Sequence, residues 1–179
     1  FPAITRTVFL ECSGNLRTNA GEETTPQFLC GLTSQSEWTG VALATLLREA
    51  GLKPGAKWLL AEGSDAAVMT RSIPIEKAMD DALVAYAQNG EPLRPAQGYP
   101  IRLFNPGWEG NTSVKWLRRI EVSDRPFMTR EETAKYTEPI RGEKARQFSF
   151  TMDARSVITS PTYPAALERG AQEIRGLAW

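Results

Sequence analysis

Histidine is absent from all 179 residues. That removes the commonest general base, the Ser-His-Asp and Cys-His hydrolase arrangements, haem ligation by imidazole and most zinc sites. Cysteine is nearly absent too. Cys12 and Cys30 have seventeen residues between them, which fits no zinc, iron–sulfur or Cys-x-x-Cys redox spacing. No run of about 18 apolar residues occurs, so no membrane span is expected. No charged start, apolar middle and small cleavage site marks a signal peptide. A Gly-x-Gly-x-x-Gly or Walker loop is missing, which excludes the dinucleotide and P-loop classes. Neither sign of charge is in excess, with 21 Lys and Arg against 21 Asp and Glu. No stretch gathers basic residues with aromatics, so no nucleic-acid partner is expected. Internal repeats and low-complexity segments are also lacking. The chain starts at Phe1 without Met and stops in what reads as the middle of a strand, so a trimmed or processed piece is expected.

What remains is an ordinary globular composition, 41% hydrophobic and 23% charged, long enough for a domain with a substantial core. Ile4 to Glu11 reads as a partly buried strand, with Ile4, Val8 and Leu10 on one face. It ends in Cys12-Ser13-Gly14-Asn15, which places a thiol at a strand end beside a small-residue turn. Residues 16 to 35 are polar, carry Gly21, Pro26 and Gly31, and read as a long loop. Val41 to Ala50 carries a helical apolar stripe stopped by Gly51. Lys57 to Ala61 and Ala82 to Gln88 read as strands, the second closed by the Asn89-Gly90 turn. Pro74 is placed to start a short helix, Ile75 to Met79. Further strands are expected over Gly98 to Phe104 and Val114 to Val122, separated by a Gly-containing loop. Thr129-Arg130-Glu131-Glu132 has the form of a capping box that would deliver Tyr136 at the end of a short helix. Strands interleaved with a few short helices, without βαβ alternation, give an α+β fold. Three segments are expected: a main domain over 1–139, a connector over 140–155 with Phe148 and Phe150, and the start of a β-rich unit over 156–179.

Several residues bear chemistry. Cys12 is either a metal thiolate or an inert thiol, and a Cys12–Cys30 disulfide is a further alternative. Arg102 and Lys115 suit a phosphate, the first as a bidentate fork and the second as a point charge, with the loop between them offering N–H groups. Their alternative is surface salt bridging. Asp65 either accepts hydrogen bonds from a heterocycle or satisfies its own turn. Tyr136 is a hydrogen-bonding phenol or a half-buried ring with a wet hydroxyl.

The chain resembles the sulfite oxidase type of molybdenum-pterin oxidoreductases. The resemblance is carried by Glu11-Cys12-Ser13-Gly14-Asn15, Glu62-Gly63-Ser64-Asp65, Ser72-Ile73-Pro74, Ala85-Tyr86 with Asn89-Gly90, Gly98-Tyr99-Pro100 with Arg102, Pro106-Gly107 with Gly110, and Val114-Lys115-Trp116-Leu117. Gly31 to Gly40, Ser72 to Lys77, Met128 to Thr133 and Ser156 to Thr159 look most like one branch, the molybdenum subunits of bacterial sulfane dehydrogenases.

This resemblance implies a molybdopterin-binding fold of mixed sheets and short helices, followed by the start of a β-rich dimerisation domain through which the protein forms a homo-oligomer. It implies a molybdenum-molybdopterin cofactor, with Cys12 as the thiolate ligand and therefore not in a disulfide. Asp65, Arg102, Ser113, Val114 and Lys115 match pterin-binding positions. Gln97 stands where animal sulfite oxidases have histidine, and an amide can still hydrogen-bond there. Tyr136 matches the active-site tyrosine. The implied reaction is oxidation of sulfane sulfur or sulfite by oxygen-atom transfer in the periplasm, with electrons passed to a c-type cytochrome. A further substrate-side arginine of the family would precede Phe1, and others would follow Trp179. The alternatives are a sulfite dehydrogenase, a reductase of the same fold, or a cofactor-free binding module.

Overall fold

The computed structural model describes residues 1–16 and 24–179. In chain order it contains β1 (Ile4–Glu11), α1 (Pro26–Leu29), β2 (Thr33–Ala42), α2 (Leu43–Ala50), β3 (Trp58–Gly63), β4 (Thr70–Pro74), α3 (Ile75–Asp80) and β5 (Leu83–Gln88). There follow β6 (Glu91–Pro92), β7 (Arg102–Phe104), β8 (Leu117–Ser123), β9 (Glu138–Ile140), β10 (Lys144–Arg146), β11 (Ser156–Ser160) and β12 (Arg175–Ala178). One sheet runs β1-β2-β5-β6, with β7 also paired to β5. A second runs β4-β3-β8, and β9–β10 and β11–β12 are separate two-stranded pairs. Every pairing among these strands is antiparallel. The architecture is α+β: small sheets and a few short helices.

The core has two parts that share the first sheet. On one side Leu43 and Leu47 of α2 pack with Leu59 and Ala61 of β3, Ile73 of β4, Val84 of β5 and Leu103 of β7. On the other, Trp38 packs with Val8, Leu83, Ala85 and Phe104. Because β5 is covered on both faces, its sequence is nearly continuously apolar rather than alternating. Where β2 crosses β5 the register shifts between Thr39 and Gly40. A side chain at Gly40 would run into the Val84 carbonyl, so glycine is required for the approach.

Several boundaries differ from the sequence expectation. Of the loop expected over 16–35, residues 17–23 lie outside the described residues. Pro26–Leu29 is a helical turn capped by Thr25, whose hydroxyl accepts from the Phe28 N–H. Thr33 and its successors form β2, which pairs with β1 along its whole length, from Ile4 opposite Gly40 to Glu11 opposite Thr33. Val41 and Ala42 belong to β2, where they face Val84 and Leu83, so the helix begins only at Leu43 and stops at Gly51 as its left-handed φ of 77° allows. The strand expected from Gly98 begins at Arg102, and the one expected from Val114 begins at Leu117 after Trp116, whose φ is 53°. β4 was not expected. The Thr129 hydroxyl does accept from the Glu132 N–H. The turn it caps, Glu131–Lys135, is of π type, with the Tyr136 N–H donating to the Glu131 carbonyl.

Candidate cofactor and active site

β1 delivers Cys12 to the surface. The carboxylate of Glu11, one residue earlier, is fully buried. It accepts from Asn15 Nδ2 at 2.8 Å and from Trp179 Nε1 at 2.8 Å, and pairs with Arg155 at 3.0 Å. Fixed on both sides of the cysteine, the turn is held further by the Cys12 N–H to the Leu32 carbonyl at 3.0 Å and the Asn15 N–H to the Cys12 carbonyl at 2.9 Å. The thiol itself is exposed and free, and so the inert buried thiol and the disulfide are both set aside. Cys30 is free and half-buried, its pKa raised by burial and then by the charge of Glu11. Gly110 lets the 106–113 loop close against this turn, because a Cβ there would sit 2.7 Å from the Glu11 carbonyl oxygen.

Two cations line the same cavity as the thiol. Arg102, the first residue of β7, is 3% exposed. Its Nη1 donates to the Gln97 carbonyl at 3.0 Å and its Nη2 to the Ser113 carbonyl at 2.9 Å, while Nε is buried without a partner among the described residues. The guanidinium lies over the rings of Trp38 and Phe104, 5.0 and 5.4 Å from their centroids. Among the described residues no carboxylate is paired with it. Burial therefore pulls its pKa down to about 10. Lys115 donates to the Ala96 carbonyl at 3.0 Å, and its pKa is lowered by burial first and then by Arg102. Among the described residues neither cation is in a salt bridge, contrary to the surface-pair alternative. Gly98 makes this closeness possible: at φ 106° it lies so near Lys115 and Arg102 that a Cβ would come 3.1 to 3.2 Å from their side chains.

Asp65 commits one carboxylate oxygen to the Met69 N–H at 2.9 Å, a turn bond, and also lines the cavity. Tyr136 ends the π turn, half-buried. Burial is the largest cause of its raised pKa, followed by the charge of Cys12, with Arg71 acting in the opposite sense. The phenol therefore stands within electrostatic reach of the thiol and stays protonated at neutral pH.

Cys12, Asp65, Gln97, Arg102, Ser113, Val114, Lys115 and Tyr136 line one cavity of about 600 Å³. All eight positions chosen from the sequence thus meet at one place. Thr33, Ser34, Asn111 and Trp116 also line it and were missed. The first two lay in a stretch read as loop, and Asn111 sat inside the glycine loop without a chemical signal of its own. Arg71 was missed as well: its guanidinium carbon is 5.2 Å from the Tyr136 ring centroid, and its carboxylate partner lies 61 residues away.

A buried cation without a counter-ion among the described residues, an orphaned donor, a second cation and a free thiol on one cavity suit a polyanionic metal cofactor. Residues 1–131 match the family described as oxidoreductase molybdopterin binding domain, and the chain belongs to it. The cofactor this implies is molybdenum-molybdopterin, and the site's residues fit it.

Among known proteins, the sulfane dehydrogenase SoxCD from Paracoccus pantotrophus matches with a TM-score of 0.89 and 46% identity over 100% of this chain and 47% of that one. Mitochondrial sulfite oxidase of Homo sapiens is 31% identical over 199 residues, 100% of this chain and 36% of that protein. Nitrate reductase [NADH] of Ulva prolifera is 36% identical over 141 residues, 69% of this chain and 16% of that protein. The chain therefore spans less than half the length of these relatives. It carries a molybdopterin-binding domain of the sulfite oxidase type.

Proposed function

We propose that the full protein oxidises a reduced sulfur group, sulfane sulfur or sulfite, and passes the electrons to a c-type cytochrome in the periplasm. The observation that supports this most is the likeness to sulfane dehydrogenase over the entire chain. When bound, molybdenum-molybdopterin supplies two-electron oxygen-atom-transfer chemistry. The chain's residues hold and orient. Cys12, exposed at the end of β1 and fixed by the Glu11 network, is the thiolate that ligates the metal. Arg102 and Lys115 hold the anionic phosphate. Asp65, Gln97, Ser113 and Val114 fix the pterin with side-chain and backbone hydrogen bonds. Tyr136, protonated and facing Cys12, donates a hydrogen bond that orients the reacting sulfur group.

Electron exit follows from composition. Without histidine, a Cys-x-x-Cys-His segment or a cluster-forming cysteine set, these residues carry no one-electron centre. The proposed acceptor is therefore a haem centre outside these residues. Residues 156–179 open a β-rich unit used for homo-oligomerisation. The polar stretch 16–35 contributes to the docking surface, though residues 17–23 lie outside the described residues.

Assay of the full-length protein with sulfite and with a carrier-bound sulfane identifies the substrate. Stopped-flow reduction is expected to stall after one turnover and resume on addition of a c-type cytochrome, and Tyr136→Phe is expected to lower turnover with molybdenum retained. Sustained turnover without an acceptor, or purified protein without molybdenum from a host making the pterin, would overturn this reading. The second result would leave a cofactor-free binding module.

A further inference from the structure

We propose that Arg71 is a positioning residue that sets the ring of Tyr136, an inference resting on the role given to that phenol above. Arg71 lies on β4 and is completely buried. Its Nε donates to Glu132 Oε1 at 2.7 Å, and its Nη2 donates to Glu132 Oε2 at 3.3 Å and to the Ser149 carbonyl at 3.1 Å. Glu132 Oε1 accepts in addition from the Ser72 N–H at 3.0 Å. These bonds tie the middle of the Glu131–Lys135 turn to β4. A single π turn has little stability of its own, so its geometry depends on such a tie. The flat guanidinium then lies over both rings, 5.2 Å from the Tyr136 ring centroid and 5.6 Å from that of Phe150.

Two observations argue that this pair does more than stabilise. A buried ion pair is generally no better for stability than apolar residues of the same shape, because both ions lose their hydration. Moreover, Arg71 Nη1 is buried without a partner among the described residues, an arrangement that a purely structural site would select against. What the arginine provides and an apolar residue does not is a planar cation fixed on the face of the phenol. Its charge is also felt at Tyr136, where it opposes the effect of burial. The expected consequence is a ring held in one orientation, with its hydroxyl directed toward the Cys12 side of the cavity.

The test uses full-length holoprotein labelled with 3-fluorotyrosine, the Tyr136 resonance being assigned by its loss in Tyr136→Phe. The double variant Arg71→Met with Glu132→Gln leaves no unpaired carboxylate and keeps an acceptor for Ser72. Its Tyr136 resonance should shift and sharpen. Its kcat should fall about tenfold with KM nearly unchanged, since a misplaced group costs rate before it costs binding. Added to Tyr136→Phe, the same changes should cause no further loss of kcat. Additive losses, or an unmoved resonance, would overturn the proposal. Should the double variant not fold, Arg71→Lys, which keeps the charge but not the planar fork, is judged by the same resonance and the same non-additivity. If even the wild type oxidises neither sulfite nor a carrier-bound sulfane, the functional reading fails while the fluorine resonance still decides the role of Arg71.

Discussion

Replacing Arg102 by methionine removes a buried cation that has no counter-ion among the described residues, and its effects on stability and on cofactor retention are expected to diverge. Burial lowers the Arg102 pKa from the ordinary arginine range to about 10, so the folded protein disfavours the charged form by about 3 kcal/mol. The sign follows from proton binding. Between about pH 10 and the ordinary arginine range the unfolded state holds more protons, and stability there rises with pH. Below about pH 10 both states are charged and the whole penalty is present, including at neutral pH. Methionine removes that penalty but leaves the Gln97 and Ser113 carbonyls without their donors, at about 1 to 3 kcal/mol each. The two nearly cancel, and the urea midpoint of cofactor-free protein should move by no more than about 1 M. Cofactor binding has no such compensation. Loss of a buried charge-assisted contact to a phosphate costs about 3 kcal/mol or more, roughly a hundredfold in affinity. Metal analysis of dialysed protein from a host with pterin synthesis intact should therefore find little molybdenum. Wild-type molybdenum content in Arg102→Met, or a collapse of the cofactor-free fold, would refute the reasoning.

Cys12→Ser should abolish sulfur oxidation with little change in melting temperature, because the thiol is exposed, whereas Cys30→Ser should leave turnover nearly intact; activity assays and thermal melts on both variants check this. Gly110→Ala places a Cβ 2.7 Å from the Glu11 carbonyl and should cost about 1 to 3 kcal/mol in denaturant unfolding, with reduced molybdenum retention because the Cys12 turn must shift. Glu109 is buried, and burial is the largest cause of its raised pKa. The folded carboxyl therefore holds its proton to higher pH than the unfolded one, and stability falls as pH rises through that window. Glu109→Gln should melt higher than wild type at neutral pH and lose the advantage in acid, so a difference in melting temperature that is flat with pH would contradict it.

The sequence by itself determined the elements whose burial is local in pattern. β1 and the body of α2 show their apolar faces directly, Asn89-Gly90 marks the turn between β5 and β6, and the apolar run of β5 reflects a strand covered on both sides. Cys12, Asp65, Arg102, Lys115 and Tyr136 stood out by their own chemistry, and Gln97, Ser113 and Val114 joined them only through the resemblance to the family; all eight line one cavity. Tertiary structure decided the rest. β2 is mostly polar and buries little beyond Trp38 and Gly40, so only its pairing with β1 on one side and β5 on the other makes it a strand; before those partners exist it reads as loop. The late starts of β7 and β8 have the same origin, because the residues before them wrap round to bring carbonyls and Lys115 to Arg102. Arg71 and Glu132 look like ordinary surface charges in the sequence. Their union 61 residues apart exists only once β4 lies beside the turn that carries Tyr136. Periodicity along a chain reports how much of each residue is covered, and it holds no information on which remote segment does the covering.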